Sequence, residues 1–209
     1  MSLQDIYESV LTFKADNLVE LIRKEIAKGT AVSDILQEGL IRAMDEVGRR
    51  FAEGEFFVPE MLRSAKTMKA GLEVLKPLLI KTNTKAAGNI VIGTVKGDLH
   101  DIGKNLVIIM LEGAGFKVVD LGIDVDNETF VRAAEENKAD VVCLSALLST
   151  TIQAMKGVID AIRKEGLNCK MVVGGAPVTP DFAQEIGADG YSEDAARAVD
   201  IVRTLVERQ

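Results

Sequence analysis

Over the first eighty or so positions of the chain, apolar residues recur at three- and four-residue steps. Leu36, Leu40, Ala43, Val47 and Phe51 fall on one helix face, and Met61, Ala65, Met68, Leu72, Leu75 and Leu79 repeat the pattern over a longer stretch. Between these stretches lies Glu53-Gly54-Glu55-Phe56-Phe57-Val58-Pro59-Glu60. Gly54 permits a chain break there, and Pro59 followed by Glu60 marks the first turn of the next helix. Two shorter helices, over 3–14 and 16–28, precede them, with Gly29 as the stop. Four amphipathic helices on short loops predict an antiparallel bundle over residues 1–82.

The period changes after a polar, small-residue stretch read as a linker at 83–88. Short β-rich runs appear at 89–95, 117–121, 140–145, 170–174 and 189–191. Helical patterns alternate with them at 102–114, 126–137, 151–165, 179–186 and 193–207. The strand runs are continuously apolar rather than alternating, which suits strands buried on both faces. Five βα units of this kind predict a flavodoxin-like or Rossmann-like five-stranded parallel α/β domain over 89–209. The ligands of such sheets sit at the C-terminal strand ends.

Composition narrows the function classes. The formal net charge is −7, from 25 Lys+Arg against 32 Asp+Glu, and no window is a basic block, which argues against a nucleic-acid surface. The longest apolar run, 106–111, is far short of the roughly 18 residues of a spanning helix, so no membrane segment is expected. The first residues carry no secretory pattern, and Cys143 and Cys169 form neither a CxxC pair nor a disulfide framework. A cytoplasmic protein is expected. One histidine and two distant cysteines do not complete a four-ligand zinc site.

Chemistry concentrates at the strand ends. After the first strand comes Lys96-Gly97-Asp98-Leu99-His100-Asp101-Ile102-Gly103-Lys104-Asn105, which contains the only histidine in the chain. Asp98 is close enough in sequence to hold one imidazole nitrogen, fixing the tautomer and leaving the other lone pair for a metal. Gly103 would let the next helix begin close to a bulky ligand, and Asp101 counts with the same loop. The bland alternative is a solvated helix-entry loop with an incidental histidine. The third strand runs into Ser145-Ala146-Leu147-Leu148-Ser149-Thr150-Thr151, four hydroxyls of which N-capping explains at least one. The fourth ends in Gly174-Gly175, where the backbone can approach something flat or bulky, although a tight turn needs glycine too.

Taken together, Asp98-x-His100-x-x-Gly103, then 41 residues, Ser145-x-Leu147, then 26 residues, Gly174-Gly175 resembles the signature of the cobalamin-binding domains shared by methionine synthase and methyl-transferring corrinoid proteins. The runs 47–59 and 64–69 are similar to the helical cap of the same family, so the resemblance extends from about residue 5 to 205. In size the chain is similar to the small corrinoid proteins of methylamine, methanol and related methyltransferase systems.

The resemblance implies a corrinoid bound without its own benzimidazole ligand on cobalt, with His100 on the lower face, Asp98 behind it and Thr151 as the third member of the relay. Thr151 stands where some relatives have serine. Ser145, Leu147 and Ser149 would line the pocket for the displaced nucleotide tail, flanked by Gly174 and Gly175. Phe51 and Val58 would cover the upper, methyl-bearing face, their other reading being ordinary bundle core. The implied activity is methyl carriage on cobalt, as methylcobalamin in a Co(I)/Co(III) cycle, by a subunit that is not a stand-alone enzyme. The implied partners are a substrate-specific corrinoid methyltransferase, a second methyltransferase acting on a thiol or tetrahydrofolate-type acceptor, and a reductive activase. The cap would swing about the linker, and a proton on the Asp98–His100–Thr151 relay would compensate a weakened metal bond.

Rival readings are an adenosylcobalamin mutase-type subunit, a cobalamin-dependent sensor, and a metal-free flavodoxin-like or receiver domain. The first needs a barrel for which 209 residues leave no room. The second needs a DNA-binding segment, and neither a helix-turn-helix outside the bundle nor a basic cluster is found. A colourless protein that cobalamin cannot reconstitute would favour the third.

Overall fold

Hydrophobic periodicity changes across the expected 83–88 linker, and the described residues on either side of it change from helices alone to alternating strands and helices. A computed structural model describes residues 2–82 and 86–208. It divides into two compact units, one formed by residues up to 85 with 113–115, the other by the remainder from 86 onward. Residues 83–85 of the expected linker, and the side chain of Leu79, lie outside the described residues.

The first unit contains α1 (Leu3–Leu11), α2 (Ala15–Ala27), α3 (Val32–Asp34) running through a π-helical segment (Ile35–Ile41) into α4 (Arg42–Ala52), and α5 (Val58–Thr82). These make four helical rods, as the periodicity predicts. The π-helical segment was not predicted. Its wider turn brings Ile35, Leu36, Gly39, Leu40 and Ile41 all into the core, more apolar residues than a 3.6-residue turn presents to one side. The buried stripe of α5 also differs from the expected one. Met61, Met68 and Leu75 are fully inside, whereas Ala65 and Leu72 are only partly covered, and Ser64 and Gly71 take interior places. Gly71 belongs there because a Cβ would come within 2.8 Å of Ile22 Cδ1 and 3.0 Å of Leu18 Cδ2.

Gly54, in the left-handed region, ends α4: its N–H donates to Phe51 O at 3.1 Å and that of Glu55 to Arg50 O at 2.8 Å. The chain then turns so that the Phe56 ring lies under the Arg50 guanidinium (5.3 Å) and 6.0 Å from the Phe13 ring, which carries Arg63 at 4.5 Å. Phe57 N–H donates to Glu60 Oε2 at 3.1 Å, so Glu60 caps the start of α5 as its position after Pro59 suggests.

The second unit alternates β1 (Asn89–Thr94), α6 (Ile102–Gly113), β2 (Lys117–Asp120), α7 (Asn127–Glu136), β3 (Val141–Ser145), α8 (Gln153–Lys164), β4 (Lys170–Gly174), α9 (Pro180–Glu185), β5 (Gly190–Ser192) and α10 (Ala195–Glu207). All four pairings are parallel, in the order β2-β1-β3-β4-β5. The inner strands β1, β3 and β4 are buried nearly throughout, which explains their uninterrupted apolar runs, while β2 at the edge is exposed at both ends. Phe130 of α7 is 0% exposed in a core that includes Val91, Val142, Leu144 and Ile159. It packs so closely that a Cβ at Gly93 would meet its ring at 2.8 Å.

The strand order reverses between β1 and β3, the point at which open α/β sheets bind ligands. Thr94 pairs with Ser145 at that end, and Val95 N–H donates to Ser145 O at 3.0 Å. The loops after β1 and β3 therefore start side by side.

Phe130→Ala should destabilise this unit by about 3–5 kcal/mol, because the rigid sheet beneath the ring cannot collapse into the void. Urea unfolding followed by circular dichroism checks this, and an unshifted midpoint contradicts it.

Candidate cofactor-binding site

Asp98 organises the loop after β1. It is fully buried, and its two oxygens accept five hydrogen bonds. Oδ1 takes His100 N–H at 3.0 Å and the ring nitrogen Nδ1 at 2.7 Å. Oδ2 takes Leu147 N–H at 2.8 Å, Leu148 N–H at 3.3 Å and the Thr151 hydroxyl at 2.6 Å. Burial pushes its carboxyl pKa up, but the bonds from Thr151, the His100 and Leu147 backbone and the His100 ring outweigh burial and hold it well below the ordinary carboxylate range.

A carboxylate only accepts, so Nδ1 of the neutral imidazole carries the hydrogen and Nε2 keeps its lone pair. The ring is 48% exposed. The loop beneath it is pinned by buried Thr94, whose hydroxyl donates to His100 O at 2.9 Å. It is also pinned by Asp124, which accepts Gly97 N–H at 2.8 Å through Oδ1 and donates its own N–H to Asp98 O at 3.0 Å.

Four of the residues singled out in the sequence, Asp98, His100, Leu147 and Thr151, are thus joined directly. Thr151 rather than Ser has a visible consequence: its methyl lies 3.6 Å from where a Cβ of Gly97 would stand, packing the β3 loop over the β1 loop. Asp101 precedes α6; its carbonyl accepts Asn105 N–H at 2.8 Å and its carboxylate accepts Asn105 Nδ2 at 3.1 Å. At Gly103 a Cβ would meet no protein atom within 4 Å. Packing within the protein therefore does not demand a residue that costs a helix about 1 kcal/mol relative to alanine.

Two expectations need adjustment. Helix α8 begins at Gln153 rather than 151, with Ile152 at the cap position and no side-chain cap. None of the four hydroxyls caps it: Thr151 serves Asp98, and Ser149 is exposed. The two glycines after β4 are close to protein backbone. A Cβ at Gly175, whose φ is 131°, would stand 1.8 Å from Ala146 O, and one at Gly174 would lie 3.0 Å from Ser192 O. The tight-turn account is therefore sufficient for Gly175, which lets β4 run on beside the β3 loop. In the helical unit Phe51 is partly buried and Val58 is 36% exposed, so neither is sealed into the bundle core.

Sequence reasoning passed over the apolar side chains around the imidazole. Leu99 and Ile102 flank His100 and are 67% and 76% exposed, and Ile123 and Leu148 are also exposed. Large aliphatic residues on both sides of a lone histidine in a loop were the available signal, since solvated loops seldom hold such a cluster without a ligand or partner. It also missed Phe57 and Leu62 on the helical unit, exposed on either side of Val58 and Pro59. Cys143 and Cys169 are buried and free; burial pushes the Cys143 thiol up to about 12 and raises that of Cys169, so neither supplies a thiolate. Among the described residues no three His, Cys, Asp or Glu side chains could hold a metal ion together. A metal bound at His100 must therefore bring its other ligands with it, as a tetrapyrrole-like ring does. The lone pair on a half-exposed imidazole, with exposed Leu99 and Ile102 on either side of it in the chain, fits such a group.

The fold and site define a two-unit, B12-binding class of protein. A family profile described as B12 binding domain matches residues 88–200, and a second profile of the same description, for the helical half, matches 2–76. The chain is 43% identical over 208 residues to dimethylamine corrinoid protein 1 of Methanosarcina acetivorans, covering 98% of this chain and 97% of that one. Among solved structures it is similar to the methanol:cobalamin methyltransferase complex of Methanosarcina barkeri (32% identity, TM-score 0.86, 99% of this chain and 80% of that chain). It is also similar to a cobalamin-binding protein of Desulfitobacterium hafniense (33% identity, TM-score 0.82, 98% of both chains). The chain belongs to the corrinoid protein family of methylamine and methanol methyltransferase systems. Among the described residues no helix is long and apolar enough to cross a membrane.

Two outcomes follow from this geometry. Because His100 is the only histidine, the imidazole nitrogen spectrum of the apo-protein, recorded at a pH high enough for the ring to be neutral, should show the tautomer protonated at Nδ1; an Nε2–H tautomer contradicts the assignment. Asp98 has a lowered pKa in the folded chain. Its contribution to stability is therefore complete above its unfolded value near 4 and is lost as pH falls through that value toward the lower folded one. The stability gap between wild type and Asp98→Asn, from urea midpoints, should stay constant above about pH 5 and narrow below pH 4.

Proposed function

We propose that this chain binds its corrinoid through His100 Nε2, with the cofactor's own base off the metal, and presents it in turn to two methyltransferases. One observation carries the reading: the imidazole is fixed from behind by a carboxylate whose other oxygen is fully engaged, so the single lone pair it offers points away from that anchor at the sheet's switch point. The bound corrinoid supplies a cobalt atom that accepts and gives up a methyl group.

The chain's own residues hold and screen that group. Asp98 keeps His100 in the Nδ1–H form and orients the ring, and the Thr151 hydroxyl, 2.6 Å from Asp98 Oδ2, sets the carboxylate. Asp101 leads into α6, and Gly103 in its first turn leaves open space beside the helix. Leu99, Ile102, Ile123 and Leu148 give the corrin an aliphatic rim that excludes water. Ser145, Leu147, Ser149, Gly174 and Gly175 line the path of the nucleotide tail. On the helical unit, Phe51 and Val58, joined by Phe57 and Leu62, are the apolar groups available to the methyl-bearing face.

The partners in this reading are a substrate-specific corrinoid methyltransferase, a second methyltransferase to a thiol or tetrahydrofolate-type acceptor, and a reductive activase, all acting in the cytoplasm. Its relatives serve both dimethylamine and methanol systems, so the donor has to be read from the partner enzyme. Mixing the cobalamin-loaded chain with candidate methyltransferases and each donor, and following the cobalt spectrum, identifies it.

His100→Ala is the direct test. Electron paramagnetic resonance of the cobalt(II) form, made with nitrogen-15 histidine, should show a doublet splitting from imidazole in the wild type and lose it in the variant. Asp98→Asn should weaken cobalamin binding roughly ten- to a hundredfold, the usual effect of removing the partner behind a ligating histidine. A wild-type protein in which benzimidazole remains on cobalt sinks the proposal.

A further inference from the structure

Lys104, four residues beyond His100, is 2% exposed, and the reading above gives it no task. Its ammonium is lodged against Asp120 Oδ1 at 2.7 Å and Asn105 Oδ1 at 2.9 Å. Asp120 is the last residue of β2, and the same oxygen accepts Gly122 N–H at 2.9 Å. Asn105 donates onward to the Asp101 carboxylate at 3.1 Å, and its N–H to the Asp101 carbonyl at 2.8 Å. A continuous polar path therefore runs from the end of β2 through Lys104 and Asn105 to the residue covalently joined to His100.

Stability alone does not account for a lysine at this place. Desolvating an ammonium costs several kcal/mol, and well-packed apolar residues of similar size hold two elements together as firmly as a buried ion pair or more so. What an ion pair adds is direction, a fixed geometry between specific atoms. Here that geometry also reaches the β2–α7 loop, whose near end Lys104 holds through Asp120. The far end is tied to the His100 loop by Lys96 on Asp124 at 3.3 Å and by the Gly97 and Asp98 backbone bonds to Asp124. Exposed Ile123 lies between these two ties.

We propose that Lys104 is a positioning residue for His100: the Lys104–Asp120 pair, acting through Asn105 and Asp101, fixes the peptide that follows the imidazole, as Asp98 fixes the ring itself. The proposal rests on the reading of His100 as the cobalt ligand. It gives the histidine two supports, one on each side along the chain. Without the second, the imidazole keeps its tautomer but presents Nε2 over a wider range of directions.

The test is the full chain carrying Lys104→Met together with Asp120→Asn, which removes the charge pair but keeps an acceptor for Gly122. Thermal unfolding of the apo-protein should stay within a few degrees of wild type, and the His100 nitrogen spectrum should keep the Nδ1–H tautomer. The cobalamin dissociation constant should rise roughly tenfold, and part of the cobalt(II) signal should revert from imidazole to benzimidazole splitting. Wild-type affinity and an undivided imidazole signal in the double variant overturn the proposal. Should the double variant not fold, Asp120→Asn alone, at a side chain that is 42% exposed, is read in the same two ways. A wild-type chain lacking imidazole splitting overturns both readings, whereas imidazole splitting that the double variant leaves unchanged overturns only this one.

Discussion

Asp98 is a carboxylate with no access to water, and the site depends on how it is satisfied. An ionised group in that position survives only if its lone pairs are taken up by well-placed donors. The donors come from two places, His100 two residues on and the turn some fifty residues later in the chain. The cost of burying the charge therefore acts as a constraint on geometry. The loops after β1 and β3 must stand at a fixed separation, and the imidazole must take the one tautomer that supplies a hydrogen.

That constraint is supplied by the sheet. Parallel pairing of β1 with β3 sets Thr94 beside Ser145, and the bond from Val95 to Ser145 carries the register one residue past the strands. Gly175, with the Ala146 carbonyl against it, brings the end of β4 next to the same turn. The buried inner strands make this frame stiff, because neither face can yield without opening the core. Exposed aliphatic side chains, Leu99, Ile102, Ile123 and Leu148, stand on the loops of this frame, a concentration that marks a surface for a ligand or partner.

The helical unit is built on different physics. Its interior is made by helix-on-helix packing, with a π-helical turn widening one rod and Gly71 permitting another to approach. The Arg50–Phe56–Phe13–Arg63 stack holds the segment before α5 against the α1–α2 turn, so that Phe57 and Val58 are displayed from a braced loop rather than a loose one.

The sequence alone determined the alternation of elements, because apolar runs and helical periods are local consequences of burial on two faces or on one; all five strands of the sheet lie where those runs predict. It also singled out His100, though not from its loop alone, where an incidental histidine is the bland alternative, but from the spacing of the three strand-end elements that resembles a family signature. What it could not determine is who shares a hydrogen bond with whom. That Thr151 serves Asp98 rather than a helix cap, that Gly175 answers to Ala146, and that Lys104 is buried against Asp120 all depend on residues distant in the chain. Only the parallel register brings them within 3 Å or so of one another, and a directional bond of that length leaves no periodic trace in the sequence.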